Sequence, residues 1–144
     1  MKYLHLMLVV LLLAAPVASA QNMLVRKAAV QEVQDGGDDV FVPISKYIAA
    51  GNSEALSAWF ADNLEIAVLA RESDASRAQA RQIVKTFFDT YTPRSFDVTH
   101  TAGRANMKYA LGTLKAGGES FVVTIFMSCK DSSYKIQQLK IERL

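Results

Sequence analysis

The stretch SRAQARQIVKTFFDTY, residues 76–91, decides the fold because it has the strongest helical periodicity in the chain. Its apolar side chains recur three and four residues apart, so they lie on one stripe of a helix. These side chains are Ala80, Ile83, Val84, Phe87, Phe88 and Tyr91. Ser76 is the expected N-cap, and Pro93 ends the helix soon after Tyr91. The rest of the domain must therefore cover this apolar stripe.

Two shorter helices are predicted before this stretch. Apolar residues recur at helical spacing over residues 40–48, and Asp38 or Asp39 is expected to cap the N-terminus. Gly51 is placed to end this helix in a left-handed conformation, and Asn52 then begins a second helix. The apolar stripe of the second helix consists of Leu56, Trp59 and Phe60. Both helices thus offer an apolar face to a common core.

One strand is expected between the second helix and the long one. Leu64, Ile66 and Val68 alternate with the other side chains of residues 63–68, and this period of two predicts a strand. Residues 71–75 are polar, so we expect a loop that leads into the long helix.

The period changes from helical to two after the long helix, which predicts four further strands. The first has Phe96, Val98 and His100 on one face. On the second, the shared face holds Met107, Tyr109 and Leu111. The third alternates over residues 121–129 and follows a hairpin turn at Ala116-Gly117-Gly118-Glu119.

The last strand contains a slip in its apolar pattern. Tyr134 and Ile136 lie in one phase, whereas Leu139 and Ile141 lie in the other. A β-bulge or bend at Gln137-Gln138 would keep both pairs directed at the core. The order of helices and hairpin-linked strands predicts an α+β domain with a mainly antiparallel sheet.

Four features carry a resemblance to known proteins. They are the segment Val42-Pro43-Ile44 to Gly51-Asn52, the Trp59-Phe60 pair, the helix over residues 80–91, and the C-terminal segment YKIQQLKI at residues 134–141. Together they make residues 38–144 similar to the nuclear transport factor 2-like, or cystatin-like, superfamily. More narrowly, the chain resembles a family of secreted bacterial proteins with this fold and no assigned function.

The resemblance implies three N-terminal helices packed on a strongly curved sheet that leaves a cone-shaped cavity. Members of the superfamily range from isomerases and dehydratases to binding modules and dimerising domains. A shared fold does not choose among these functions.

The N-terminus is typical of a signal peptide. Lys2 precedes an apolar run from Leu4 to Ala15, and Ala18-Ser19-Ala20 fits the small-x-small rule of cleavage. The run is short for a membrane span, and Gln21, rather than a cysteine, follows the cut. We expect residues 1–20 to be removed, residues 21–37 to be flexible, and the product to lie in a periplasm or outside the cell without a membrane anchor.

Composition excludes several chemistries. The formal net charge is only +2, which does not point to nucleic acid as a partner. One Cys and two His, of which His5 leaves with the signal, make a structural zinc site improbable. The chain has no phosphate-binding loop, dinucleotide motif or nucleophile elbow, so no metal or cofactor is expected.

Two residues are weak candidates for catalysis. His100 can act as an acid or base near neutral pH, and it is expected on the inward face with Phe96 and Val98. Asp62 lies where the resemblance places an acidic base in some enzymes, although no full active-site motif is present. Asp97 is expected to face away from His100.

A further set of residues is predicted to line the cavity. These binding candidates are Trp59, Tyr91, His100, Tyr109 and Met127. Arg77, Arg81 and Lys85 either guide an anionic ligand to the cavity mouth or form a solvated helix edge. Cys129 is expected to be structural, with a cross-linked dimer as the alternative.

Three functions remain open from the sequence. The first is a non-catalytic binding module for a small apolar or amphipathic ligand or for a protein partner. The second is an isomerase-type or dehydratase-type enzyme that uses His100 or Asp62. The third is a structural module that forms a homodimer through the sheet, because Val122, Thr124 and Phe126 are less polar than a solvated face should be.

Overall fold

The structure is a computed structural model that describes residues 40–144. It contains the three helices α1 (Phe41–Ala50), α2 (Ser53–Ser57) and α3 (Arg77–Thr90). Its strands are β1 (Phe60–Val68), β2 (Arg71–Ser76), β3 (Pro93–Arg104), β4 (Met107–Ala116), β5 (Glu119–Lys130) and β6 (Ser133–Arg143).

The six strands form one curved sheet in the order β2-β1-β6-β5-β4-β3. Every neighbouring pair is antiparallel except β1 and β6, which are parallel. The predicted α+β architecture of helices on a mainly antiparallel sheet is therefore confirmed.

Local signals set the helix ends. Gly51 ends α1 with φ 67°, and the Asn52 side chain accepts a hydrogen bond from the Ala55 N–H at 3.0 Å. Ser76 and Gln79 form a reciprocal capping box at the start of α3. These ends agree with the prediction. The N-cap of α1 is Val40, whose side chain makes no capping hydrogen bond.

The α3 stripe is buried against the concave face of the sheet. Val84 and Phe88 meet side chains from α1, α2, β5 and β6, and the space among these side chains is too small for a water molecule. The other side chains around this space are Ile48, Leu56, Val123, Leu139 and Ile141. The interior behind α3 is thus filled by protein, and open space lies at the margins of the helix layer.

The bulge predicted in β6 is present. Phe126 pairs with Gln138 and Met127 pairs with Ile136, so Gln137 is the extra residue. Because of this insertion, both phases of β6 reach the core: Ile136, Leu139 and Ile141 are all at most 2% exposed.

Two elements differ from the prediction. The second helix ends at Ser57, so Trp59 follows it and Phe60 begins β1. Residues 71–75 belong to β2, an edge strand paired with β1 along its whole length, rather than to a loop. Backbone pairing holds this strand, since Ala75 is its one buried side chain. The sequence carries no apolar alternation that would reveal such a strand.

The remaining N-terminal predictions fall outside the described part of the chain. They are the signal peptide at residues 1–20, the segment at residues 21–37, and the caps Asp38 and Asp39. Within residues 40–144, no helix has the length and apolar character needed to cross a membrane.

Candidate functional site

The largest described groove lies between α3 and the β1–β2 hairpin, and we call it the α3–β2 groove. Its volume is about 760 Å³, and it is open to solvent. The side chains of its apolar floor are Ile66, Val68, Leu69, Ile83, Phe87 and Tyr91. This volume is within the range of about 300–1,000 Å³ typical of small-molecule sites.

The groove exists because β2 offers no large apolar side chain to α3. Val68 lies opposite Arg71, and Ile66 lies opposite Ser73, so all four side chains project from the concave face. Arg71 and Ser73 are exposed, whereas Ile66 is buried. The sheet edge therefore leaves the apolar side of α3 uncovered at this point.

The β1–β2 turn presents another apolar side chain at the groove. Leu69 and Ala70 have φ values of 51° and 69°, a left-handed pair without glycine. Such a conformation is costly for residues with a Cβ and persists only where its surroundings hold it. The Leu69 N–H donates to the Ile141 carbonyl at 3.0 Å, which ties the turn to β6.

One rim of the groove is a polar row along α3. Gln82, Thr86 and Thr90 are four residues apart and line the groove together. The Thr86 hydroxyl donates to the Gln82 carbonyl and the Thr90 hydroxyl to the Thr86 carbonyl, each at 3.0 Å. Because both hydroxyl protons are donated within the helix, these hydroxyl groups can act toward a ligand only as acceptors.

An aromatic cluster closes one end of the groove. The ring of Tyr91 lies 5.1 Å from that of Phe87 and 5.2 Å from that of Phe121. The Arg143 guanidinium donates to the Tyr91 hydroxyl at 2.7 Å. Since that oxygen accepts the bond, the Tyr91 O–H proton is available to another acceptor.

Arg71 and Glu72 are the two charged residues that line the groove. No ion pair within residues 40–144 involves either of them. Glu72 lies opposite Ala67 on the outer face, and Ala67 is paired with Lys140. The pKa of Lys140 is raised mainly by a hydrogen bond from Lys140 to Glu142, with Glu72 and Glu65 adding smaller attractions. Glu72 thus has a small attraction to Lys140 on the outer face, and within residues 40–144 Arg71 has no carboxylate partner.

The cations predicted along α3 do not line this groove. Arg77 donates to Asp62 at 2.8 Å and to the Phe60 carbonyl at 3.1 Å, and Lys85 pairs with Asp89 at 3.0 Å. Sequence reasoning missed Arg71 because it assigned residues 71–75 to a loop. The approach of Arg71 to the groove depends on strand pairing that its own neighbours in sequence do not reveal.

The two catalytic candidates lie in different places. The side chain of Asp62 is 90% exposed and forms the ion pair with Arg77. His100 is also exposed, and it lines a groove of about 450 Å³ between α1 and the edge strand β3. The structure therefore does not bring them together, and a catalytic role for either one stays a prediction.

The expected orientation of His100 is wrong because β3 contains a bulge. Val98 lies opposite Gly112 and His100 opposite Leu111, so Thr99 is an extra residue. His100 consequently leaves the face of Phe96 and Val98. Asp97 lies opposite Thr113, on the same outer face as Leu111, and it shares that face with His100 rather than facing away.

The other binding candidates are also dispersed. Tyr91 lines the α3–β2 groove, whereas Met127 is fully buried in the core and Trp59 packs at its margin. Tyr109 lies on the outer face opposite Phe126, contrary to its predicted place in the cavity. Cys129 is a half-buried free thiol near the end of β5.

The outer face of the sheet has an apolar centre. Phe126 lies opposite Tyr109, and Thr124 lies opposite Leu111. Val122 lies on the same face of β5 as Thr124 and Phe126, and it is half-buried. Among residues 40–144, no group of three or more His, Cys, Asp or Glu side chains is arranged to hold a metal ion.

Comparison with known proteins gives the family. Residues 41–142 match a domain of unknown function, DUF4783. The chain belongs to the DUF4783 family. No curated protein matches it.

Solved structures place the DUF4783 domain among nuclear transport factor 2-like folds. A DUF4783 family protein from Bacteroides ovatus is 22% identical, with a TM-score of 0.69 over 72% of this chain and 94% of that one. A cystatin-like domain of unknown function from Nostoc punctiforme is 12% identical, with a TM-score of 0.58 over 71% of each chain. An NTF-2-like protein of unknown function from Silicibacter pomeroyi is 12% identical, with a TM-score of 0.60 over 79% of this chain and 98% of that one. These likenesses establish the fold.

Proposed function

We propose that this DUF4783 protein is an exported, non-catalytic binding module that holds a small amphipathic ligand in the α3–β2 groove. The observation that carries the proposal is the groove itself, with an apolar floor beside a polar rim. A ligand that buries its apolar part on this floor gains about 25 cal/mol for each Å² of apolar surface removed from water.

Two further observations support binding rather than catalysis. His100 lines a different groove, and Asp62 is committed to Arg77 at an exposed site. A general acid or base has to reach the reacting group of a bound substrate, and neither side chain lines the α3–β2 groove.

Export is proposed from the N-terminal sequence. Lys2, the apolar run and Ala18-Ser19-Ala20 have the order of a cleaved signal peptide. The intact mass of protein recovered from producing cells tests this part: a chain that starts at Gln21 is expected, and a soluble chain that retains Met1 contradicts export.

A neutral fluorophore, N-phenylnaphthylamine, tests the groove directly because its emission rises in apolar surroundings. Ile83→Asp puts a charge on the floor at a half-buried position, and we expect at least about a tenfold loss of affinity from burying that charge unpaired. Val42→Asp is the matched control, since Val42 is 54% exposed on α1 outside this groove. Equal binding by the Ile83 variant and wild type would contradict the proposal.

The second candidate function is homodimerisation through the outer sheet face. The half-buried apolar pairs around Phe126 and Tyr109 favour it, because such a face gains from exclusion of water by a second copy. Light scattering at working concentration should give a dimer for wild type and a monomer for Phe126→Lys. A wild-type monomer would remove this candidate.

A further inference from the structure

We propose that the groove ligand is an anionic amphiphile, a single-chain carboxylate whose tail lies on the apolar floor and whose head group meets Arg71. This inference rests on the proposed function, because it names the chemical class that the α3–β2 groove selects.

Arg71 is the charged group that the concave face of the hairpin offers to the groove. It lies opposite Val68, whose side chain is part of the floor, so its guanidinium begins beside apolar surface. The aliphatic stem of an arginine can cover such surface while the charged head stays in water. A carboxylate at this position would keep its own hydration and still approach a cation.

Glu72 also lines the groove, but its side chain starts from the outer face of the hairpin. Adjacent strand residues project to opposite faces, and Glu72 shares the outer face with Ala67 and, one strand further, Lys140. Its attraction to Lys140 is one of the causes that raise the pKa of that ammonium group. Arg71 therefore starts from the inner face of the hairpin, whereas Glu72 starts from the outer face beside Lys140, which pairs with Glu142 at 3.2 Å.

The rest of the groove matches a tail with one polar end. The floor includes Leu69 at the turn and Tyr91 at the aromatic cluster. Arg71 follows that turn directly, so the head group would lie at the solvent-exposed end of the hairpin. The tail would extend toward Phe87 and Tyr91, which contact each other at a 5.1 Å ring separation.

The chain provides a matched control cation. Arg81 is exposed on α3, makes no ion pair within residues 40–144, and does not line the groove. Arg71→Gln and Arg81→Gln thus remove the same charge from surfaces that differ in their access to the groove.

The test is displacement of N-phenylnaphthylamine by dodecanoate and by dodecanol, both below the concentrations at which they aggregate. For dodecanoate, we expect Arg71→Gln to weaken displacement by about threefold to fivefold, the size of an exposed ion pair. For dodecanol, we expect no change. Arg81→Gln should alter neither, and added salt should reduce the difference between wild type and the Arg71 variant.

The outcomes separate this inference from the function on which it rests. If the fluorophore binds wild type but not Ile83→Asp, and Arg71→Gln changes dodecanoate and dodecanol equally or not at all, the anionic class is wrong while the groove remains a binding site. If Arg81→Gln has the same effect as Arg71→Gln, the preference is one of net charge and the inference fails. If the fluorophore binds Ile83→Asp and wild type equally, the groove is not its binding site and both proposals fail.

Discussion

Gly112 shows how closely single residues are fitted in the wall of this sheet. It lies on the core side of β4 opposite Val98, and the ring of Phe96 passes over it. A Cβ added at Gly112 would lie 2.3 Å from Phe96 Cζ and 2.9 Å from the Asp97 carbonyl oxygen. The missing side chain lets Phe96 close the core beside the edge strand.

Gly112→Ala is therefore expected to destabilise the fold by about 1–3 kcal/mol, the cost of forcing extra volume into a packed core. Urea unfolding measures the change. Gly103→Ala is the control in the same two-strand ladder, because its Cβ would meet the Met107 carbonyl oxygen at 3.2 Å and no ring. Equal losses in the two variants would contradict this account of Gly112.

At the scale of elements, the bulge in β6 decides whether the apolar side chains before and after it can all face the core. Gln137 is the extra residue, and Ile136 before it and Leu139 after it are both buried. If the strand passed through Gln137 without a bulge, a period of two would turn Leu139 and Ile141 to the opposite face. The bulge thus lets one strand contribute to the whole length of the core.

Deletion of Gln137 removes only the extra residue and leaves Ile136, Leu139 and Ile141 in one period of two, so we expect these side chains to stay buried and the variant to lose no more than about 3 kcal/mol. Gln137→Ala keeps the insertion, and we expect it to unfold within about 1 kcal/mol of wild type. Thermal unfolding followed by circular dichroism distinguishes the two. A deletion variant that loses more than about 4 kcal/mol would contradict the assignment of Gln137 as the extra residue.

The two bulges also show what sequence can and cannot predict at this scale. The bulge at Gln137 was predictable because Ile136 and Leu139 are apolar on both sides of the slip. The bulge at Thr99 was not, since the residues after Val98 lie on an exposed edge and carry no apolar phase. That second bulge moved His100 to the outer face and made its predicted orientation wrong.

β2 was missed for a related reason, and the site was missed with it. Its pairing with β1 is made by backbone groups, while its side chains are polar apart from Ala75. Apolar periodicity reveals strands that have a buried face. An edge strand without a buried face has the same polar composition as a loop. The sequence predicted Tyr91 as a binding residue because it belongs to the apolar stripe of α3. Arg71 was not predicted, because its place at the groove depends on the pairing of β2 with β1.

At the scale of the whole domain, the sheet and helices fill their shared interior. The side chains behind α3 leave no space for water, so the described part of the molecule offers a ligand its margins rather than an enclosed cone. Sequence indicates which faces are apolar but not which side chains occupy the volume between them. The superfamily resemblance therefore predicted the architecture, and only the packing of particular side chains located the groove.

Methyl-detected NMR of the labelled protein during titration with dodecanoate tests the central claim that the α3–β2 groove is the binding site. The account predicts saturable chemical-shift changes at Val68, Leu69 and Ile83 on the groove floor. It predicts no changes at Leu111 and Val122 on the outer sheet face. Changes confined to the outer face, or none at the groove floor, would contradict it.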